Sequence, residues 1–442
     1  MFQFALSEKM WESNGGDGYH RSAFQGVLVS NHFIEGFPVR KFGLRRCYFA
    51  ALLGFLLTST ASAQLEGRFY LDKNQYLTGE PVYLHFDLKN NGTEPIEVVT
   101  GNSYSICGGY RIELSSDPSA HISSCASLGS GGSCGAGGWV IASGETRQDK
   151  VLLNYEHDLS KAGIYTLRAS RTLNYGHPGT SWAISTSGPQ IKTEAQLDIR
   201  VEDGEAETLQ ANFQSYVADL HSKDEERQRE AAMVIGSLAP AFLEDAILSM
   251  TVSPVTRPFA LIGLRHLNTP RSRETLAGFV QGNSGYSYEK ERAIKYLSEM
   301  EDKKYFPLLL DQAKSQEPNQ ARDYVLAAAQ LGQEDAMPYV HSLLTDPSAF
   351  SRANGVMALP QTGSRRAVPL LIESLRSPDL DVGRLASIGL IRLTHRSPFE
   401  AGQWFSDTPS NEYQDWLRWW MLRGDGAPIY GPSQCGMVES LK

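Results

Sequence analysis

The chain has 442 residues, enough for two or three domains, and its 41% apolar and 21% charged content is that of an ordinary globular protein. The net charge is −9, and residues 1–63 hold six basic and four acidic side chains, so the remainder is more acidic still. An acidic surface with no basic run argues against nucleic acid and anionic membranes as partners.

Residues 1–39 are polar and Gly-rich, with no clear periodicity. Arg40-Lys41 and Arg45-Arg46 then lead into the apolar run Cys47–Leu57, and Ala61-Ser62-Ala63 precedes Gln64. These are the basic, apolar and A-x-A regions of a secretory signal peptide over residues 40–63. The apolar run is too short for a transmembrane span, and no lipidation cysteine follows it. Because this signal begins forty residues in, residues 1–39 are expected to be an extension, either untranslated or disordered, with Val39 as the start if it is encoded by GTG. An extended signal or a retained anchor is the other possibility. Cleavage after Ala63 leaves a soluble mature protein with no membrane span, periplasmic or secreted.

From Leu65 to about Val201 the apolar period is two. Val82-Tyr83-Leu84-His85-Phe86-Asp87-Leu88 alternates as a half-buried strand does. Asn90-Asn91-Gly92 reads as a turn and Ile96–Val99 as the returning strand. Tyr110–Leu114, Val151–Leu153, Tyr165–Ala169 and Ala195–Val201 read as further strands, with Gly and Pro between them at intervals suiting a β-sandwich. Lys161–Tyr165 resembles the corner at which an immunoglobulin-like (Ig-like) domain starts a late strand with a buried Tyr. Tyr76–Pro81 through Asn91-Gly92 resembles the opening of bacterial Ig-like and BsuPI-type proteinase-inhibitor domains. Residues 64–203 are therefore expected to form an Ig-like β-sandwich.

Cys107, Cys125 and Cys134 fall in this region, and Cys435 in the tail. Three thiols in one exported domain imply at least one disulfide. A bridge between Cys125 and Cys134 would contribute roughly 2–3 kcal/mol by the chain-entropy account, and Cys107 with either partner is equally open.

Gly204–Glu207 is an acidic link, and Leu209, Phe213, Val217 and Leu220 mark an amphipathic helix that caps the helical array beginning near Glu225 and docks the sandwich on it. From about Glu225 to Gly424 the chain repeats. Ala231, Ile235, Leu238; Ala260, Leu264, Leu267; Ala293, Leu297, Met300; and Ala386, Leu390, Leu393 share an i, i+4, i+7 spacing that gathers them on one helical face. Tyr324, Ala328, Leu331 and Ala353, Met357 are looser copies. A second helix follows each first, marked by Phe306-Pro307, Met337-Pro338 and Val368-Pro369; a proline near a helix start removes only an N–H that lacked an intrahelical partner. Asp346-Pro347-Ser348 and Ser377-Pro378-Asp379 read as capped turns, and Gly332 and Gly363 as helix ends. Such pairs cannot bury their apolar stripes alone, so they stack as an α-solenoid over residues 204–424. These residues resemble the short bacterial HEAT repeats, the class also seen in phycobilisome-lyase-like proteins. The resemblance implies a scaffold for protein contact, a minority of its members being lyases. Trp416, Trp419 and Trp420 lie on a last helix expected to close the array. The tail, 425–442, is expected to be mobile.

Little here reads as chemistry. Gly131-Gly132-Ser133-Cys134-Gly135 has the letters of a nucleophile elbow but not the strand-to-helix setting. His85, His121, His157 and His177 form no H-x-H or H-x-x-x-H pair, and Glu156-His157-Asp158 reads as a solvated loop. The expected protein is multidomain, all-β then all-α, without cofactor, metal or catalytic residues, and it binds another protein. The surface expected to do so comprises Lys314, His341, Glu373 and Arg376 on the second helices. The alternatives are proteinase inhibition through a loop of the sandwich and, less consistent with export, a lyase activity.

Overall fold

The computed structural model describes residues 64–101, 109–115, 136–155, 157–180, 188–282, 287–398, 409–431 and 439–440. The N-terminal extension, the signal region, Cys107, Cys125, Cys134, Cys435, His121, Glu156 and Gly131–Gly135 lie outside them. A β-rich region comes first and a helical region follows.

The β-rich region has two sheets. Strands β1 (Leu65–Leu71), β3 (Tyr83–Asn90) and β7 (Thr146–Leu152) form one, in the order β1-β3-β7. The other runs β2 (Gln75–Leu77), β9 (Gln190–Glu202), β8 (Gly163–Gly176), β4 (Ile96–Gly101) and β6 (Ala136–Ile141). Strand β5 (Tyr110–Ser115) also pairs with β8, which is long enough to carry β5 at Arg171–Thr166 and β4 at Gly176–Asn174. Leu84, Phe86 and Leu88 of β3 meet Leu167 and Leu173 of β8 and Ile199 of β9 in one core. The expected hairpin between β3 and β4 is corrected: the two strands belong to different sheets, and the Asn90-Asn91-Gly92 turn crosses between them. Asn90, fully buried, makes the crossing possible. Its side-chain amide donates to the carbonyls of Glu94 and Ile141 at 2.8 and 3.1 Å and its Oδ1 accepts from the Gly92 amide at 2.9 Å.

Along β8 the alternation Tyr165, Leu167, Ala169, Arg171, Leu173 points inward, and it sends a guanidinium into the core. Arg171 is 1% exposed. It pairs with Asp149 of β7 at 3.0 Å, donates to the Tyr110 hydroxyl at 2.6 Å and lies over the Phe86, Tyr110 and Trp139 rings. A buried charge persists only with such compensation, and because Asp149 belongs to the opposite sheet the pair ties the two together. The Tyr165 hydroxyl donates to the Lys161 carbonyl, four residues upstream, at 2.8 Å.

Helix α1 (Ala206–Asp219) leads into six helix pairs: α2 (Glu225–Leu238) with α3 (Glu244–Ser249), α4 (Arg257–Leu267) with α5 (Pro270–Gln281), α6 (Tyr288–Glu299) with α7 (Phe306–Ser315), α8 (Arg322–Gly332) with α9 (Met337–Leu344), α10 (Ala349–Ala358) with α11 (Ala367–Ser374), and α12 (Leu380–Thr394) with α13 (Pro409–Arg423). The repeated stripe residues Ala231, Ile235, Ala260, Leu264, Ala293, Leu297, Tyr324, Ala328, Ala386 and Leu390 are all buried, and nearly all of them join one continuous cluster. Approach is close enough that a Cβ on Gly236 of α2 would stand 2.3 Å from the Phe259 carbonyl of α4.

The turns differ from expectation in two ways. Asp224, Ser287, Ser348 and Asp379 are N-caps of α2, α6, α10 and α12, accepting from the amides of Glu226, Lys290, Ser351 and Asp381. In the Pro-containing turns the cap is thus the residue after the proline, while Asp346 and Ser377, before it, brace the Ser348 and Asp379 amides. At the end of α8 the left-handed backbone falls on Gln333, at φ 50°, not on Gly332. Gly332 serves space instead, since a Cβ there would stand 2.3 Å from the Phe306 ring.

At the far end, Trp416 and Trp419 are buried edge to face, 5.6 Å apart, in the same cluster. In the tail, the Tyr430 amide donates to the Leu393 carbonyl at 2.9 Å, and Ala427 is buried. Further on, β11 (Glu439–Ser440) pairs in parallel with β10 (Arg396–Ser397).

Glu412 of α13 is held among Ser387 and Trp416. The Ser387 hydroxyl and the Trp416 indole N–H face its carboxyl without well-formed hydrogen bonds. Burial, then the charge of Asp415, raises its pKa against the opposing pull of those two groups. A carboxyl raised in the folded state favours folding at low pH and loses that contribution as pH climbs through the raised value. Glu412→Gln should therefore raise Tm relative to the parent at pH 8 and give little gain near pH 4.5, read by tryptophan fluorescence during thermal unfolding.

Candidate protein-binding surface

Each second helix turns Leu309, Val340 or Leu371 into the core and leaves its other side in solvent. Lys314 stands exposed on α7, His341 on α9, Glu373 on α11, and Arg376 just after α11. Glu373 and Arg376 pair with each other at 3.2 Å. Lys314 lies over the Tyr339 ring of α9 at 5.8 Å and Arg376 over the Tyr413 ring of α13 at 5.3 Å. Cation–aromatic contacts therefore join α7 to α9 and α11 to α13, placing neighbouring second helices side by side. Leu343, expected to be buried, is half-buried.

Where the second helices begin, an ion-pair ladder links one pair to the next. Arg271 meets Asp245 at 2.9 Å, Arg273 meets Asp302 at 2.9 Å, Lys304 meets Glu274 at 2.5 Å, Lys303 meets Asp335 at 3.8 Å and Arg366 meets Glu334 at 3.3 Å. The partners of the second, third and fifth contacts stand 29, 30 and 32 residues apart, about one repeat. Exposed pairs of this kind contribute little individually; their periodicity fixes how each pair sits on the next.

At the junction between the β-rich and helical regions, the strands contribute contacts beyond the docking helix read from Leu209, Phe213, Val217 and Leu220. Tyr83 and Leu152, at the ends of β3 and β7, are buried in the helical core with Phe213 of α1. The Tyr83 hydroxyl donates to Glu230 of α2 at 3.1 Å, and Lys150 of β7 pairs with the same carboxylate while lying over the Tyr83 ring at 4.7 Å. Burial, then the Glu230 charge, holds the Tyr83 hydroxyl well above the ordinary tyrosine range, so it stays a protonated donor, and the same two causes raise Tyr216. Leu209 of α1 packs on Gly79, whose φ of 84° suits glycine, and this docking of α1 between the two regions matches its expected capping role. The sequence signals for the junction were the amphipathic pattern of α1 and an aromatic, Tyr83, at a solvent-side register position of β3.

His85 Nε2 lies 2.9 Å from Asp72, and its ring stacks on Tyr70. The Ser160 hydroxyl, and then the Ser160 amide, which donates to Asp158 at 2.9 Å, lower the Asp158 pKa. Among the described residues no three His, Cys, Asp or Glu side chains gather as metal ligands, and no helix is long and apolar enough to cross a membrane.

The architecture is a series of short helix pairs sharing one core. Residues 306–392, spanning α7 to α12, match the family model for HEAT repeats. Among solved structures, an engineered protein is 18% identical, with 41% of this chain and 96% of that one covered and a TM-score of 0.26. The complex of CpcE and CpcF of phycocyanin lyase from Nostoc sp. PCC7120 is 19% identical, with 46% and 92% covered and a TM-score of 0.29. No curated protein matches the chain.

Replacing Tyr83 by Ala removes the buried ring and the Glu230 hydrogen bond together. We expect a loss of about 3–5 kcal/mol, the usual result of truncating a buried aromatic, concentrated at the junction. Calorimetry should resolve two transitions in Tyr83→Ala where the parent shows one.

Proposed function

We propose that this protein is an exported, non-catalytic scaffold that binds another protein through the solvent-facing side of its second helices. The carrying observation is that Lys314–Tyr339 links α7 to α9 and Arg376–Tyr413 links α11 to α13, while the solvent side of each helix carries an exposed charged or ionisable side chain. HEAT-type pairs stacked with a small rotation curve into an α-solenoid, with second helices on the concave side. A long open surface suits a polypeptide better than a small molecule, which needs enclosure. The mixed charges of Lys314, His341, Glu373 and Arg376 suit a protein better than a uniformly charged polymer.

The β-rich region is read as an Ig-like sandwich. Two sheets sharing a core and the Tyr165-to-Lys161 hydrogen bond support this. Export rests on the signal-like order of residues 40–63, so the mature chain should begin near Gln64 in the periplasmic or secreted fraction. N-terminal mass spectrometry checks this, and residues 1–39 found attached to folded protein would refute it.

The binding reading is tested by capture from envelope extract. Charge reversal at Lys314, Glu373 and Arg376 together should lose the partner while circular dichroism stays helical. Binding that survives the reversal but disappears with the β-rich region would move recognition to that region. Inhibition of a subtilisin-like protease by the unaltered chain would favour the inhibitor reading.

A further inference from the structure

The C-terminal segment after α13 does not simply fill the end of the array. Its contacts are those of a bound peptide. The Arg365 guanidinium, in the turn before α11, donates from its two terminal nitrogens to the carbonyls of Gly424 and Ala427. Three residues on, the Tyr430 amide donates to the Leu393 carbonyl at the end of α12. The Tyr430 ring stacks face to face on His395, with centroids 3.7 Å apart and planes 7° apart. Ala427 is 8% exposed and Ile429 packs against the helical core. The segment passes close to Gly363 at the turn after α10, whose φ is +60°.

Three of these anchors address main-chain atoms: the carbonyls of 424 and 427 and the amide of 430. Any polypeptide carries them. Arg365 is suited to the first two because its planar fork presents several donors at fixed angles. The side chains selected are a small one at 427, an apolar one at 429 and a flat ring at 430, with glycine at 424, where a Cβ would stand 2.5 Å from the Trp420 ring. Recognition of backbone with pockets for alternate side chains is how folded domains hold extended ligands. Among the described residues, 424–431 adds no α-helix or β-strand of its own, apart from a single 3-10 turn at Gly424–Gly426.

We propose that the turn edge formed by Arg365, Leu393 and His395 is a binding site for an extended polypeptide with an aromatic residue three positions after an Arg365-bound carbonyl, and that residues 424–431 hold it shut in cis as an exchangeable strap. The site is separate from the second-helix surface, and either can fail without the other.

The test uses the full chain and a fluorescent peptide of residues 424–431. Tyr430→Ala loosens the strap and leaves Arg365, Leu393 and His395 in place. It should bind the peptide about tenfold or more tightly than the parent, as expected if the parent's site is open in roughly a tenth of molecules or fewer. Adding Arg365→Ala should abolish that binding. Equal, weak peptide binding by the parent and by a helical Tyr430→Ala chain overturns the proposal, and so does failure of Tyr430→Ala to fold, because an exchangeable strap must be dispensable to the fold. Hydrogen exchange on the parent gives a second readout. The Tyr430 amide should exchange by a local opening, far faster than the amides in the middle of α12; equal protection of the two overturns the proposal.

Discussion

A helix pair with one short second helix cannot bury its own apolar stripe, and the layout of the helical region follows from that constraint. Ile235, Leu264, Leu297 and Leu390 are each fully buried because a neighbouring pair supplies the other wall. The resulting core is continuous, so it has two open ends that must be closed. At one end Tyr83, Leu152 and Phe213 close it, with residues from both regions; at the other Trp416 and Trp419 do so. Each closure uses large or tightly seated side chains because the end of a stack of helix pairs exposes as much apolar area as an interior interface buries.

The two closures differ in kind. At the β-rich end the apolar contact is reinforced by charge, with Glu230 receiving both the Tyr83 hydroxyl and the Lys150 ammonium. The regions therefore share a core and do not merely adjoin. At the other end the closure is layered. The tryptophans of α13 lie in the same core as α12, and the C-terminal segment is laid over that end and fixed through backbone atoms. A layer held mainly by hydrogen bonds to main chain opens more readily than one held by buried indoles.

Between the ends, hydrophobic burial supplies adhesion and polar contacts supply register. The ladder from Arg271 to Arg366 runs along one edge, with the cation–aromatic contacts of Lys314 and Arg376 on the second helices. In the β-rich region Arg171 plays the corresponding part: buried among rings, it is useful only where Asp149 and Tyr110 already stand. Misregistered sheets would leave that charge unpaired in the core, a cost large enough to exclude the alternative pairing.

The helix pairs, their apolar faces and their proline-marked starts were legible in the sequence, because a 3.6-residue period and proline's missing donor are local properties. The alternation that placed β3, β8 and β9 was legible for the same reason. What lay beyond local reading was partnership. The Asn90 turn looks like a hairpin until the carbonyls of Glu94 and Ile141 are near enough to satisfy its buried amide and carry the chain to the other sheet. Arg171 sits at an inward position of an otherwise apolar strand, and nothing nearby in sequence announces Asp149. The four surface residues read from the repeat are exposed as expected, but the pairing of Glu373 with Arg376 and the seating of Lys314 on Tyr339 needed the helices in place. The tail read as mobile because Gly and Pro offer no periodicity. Arg365, about sixty residues earlier in the chain, fixes part of it, since a hydrogen bond between distant residues depends on where the fold brings them and not on what surrounds either one in the sequence.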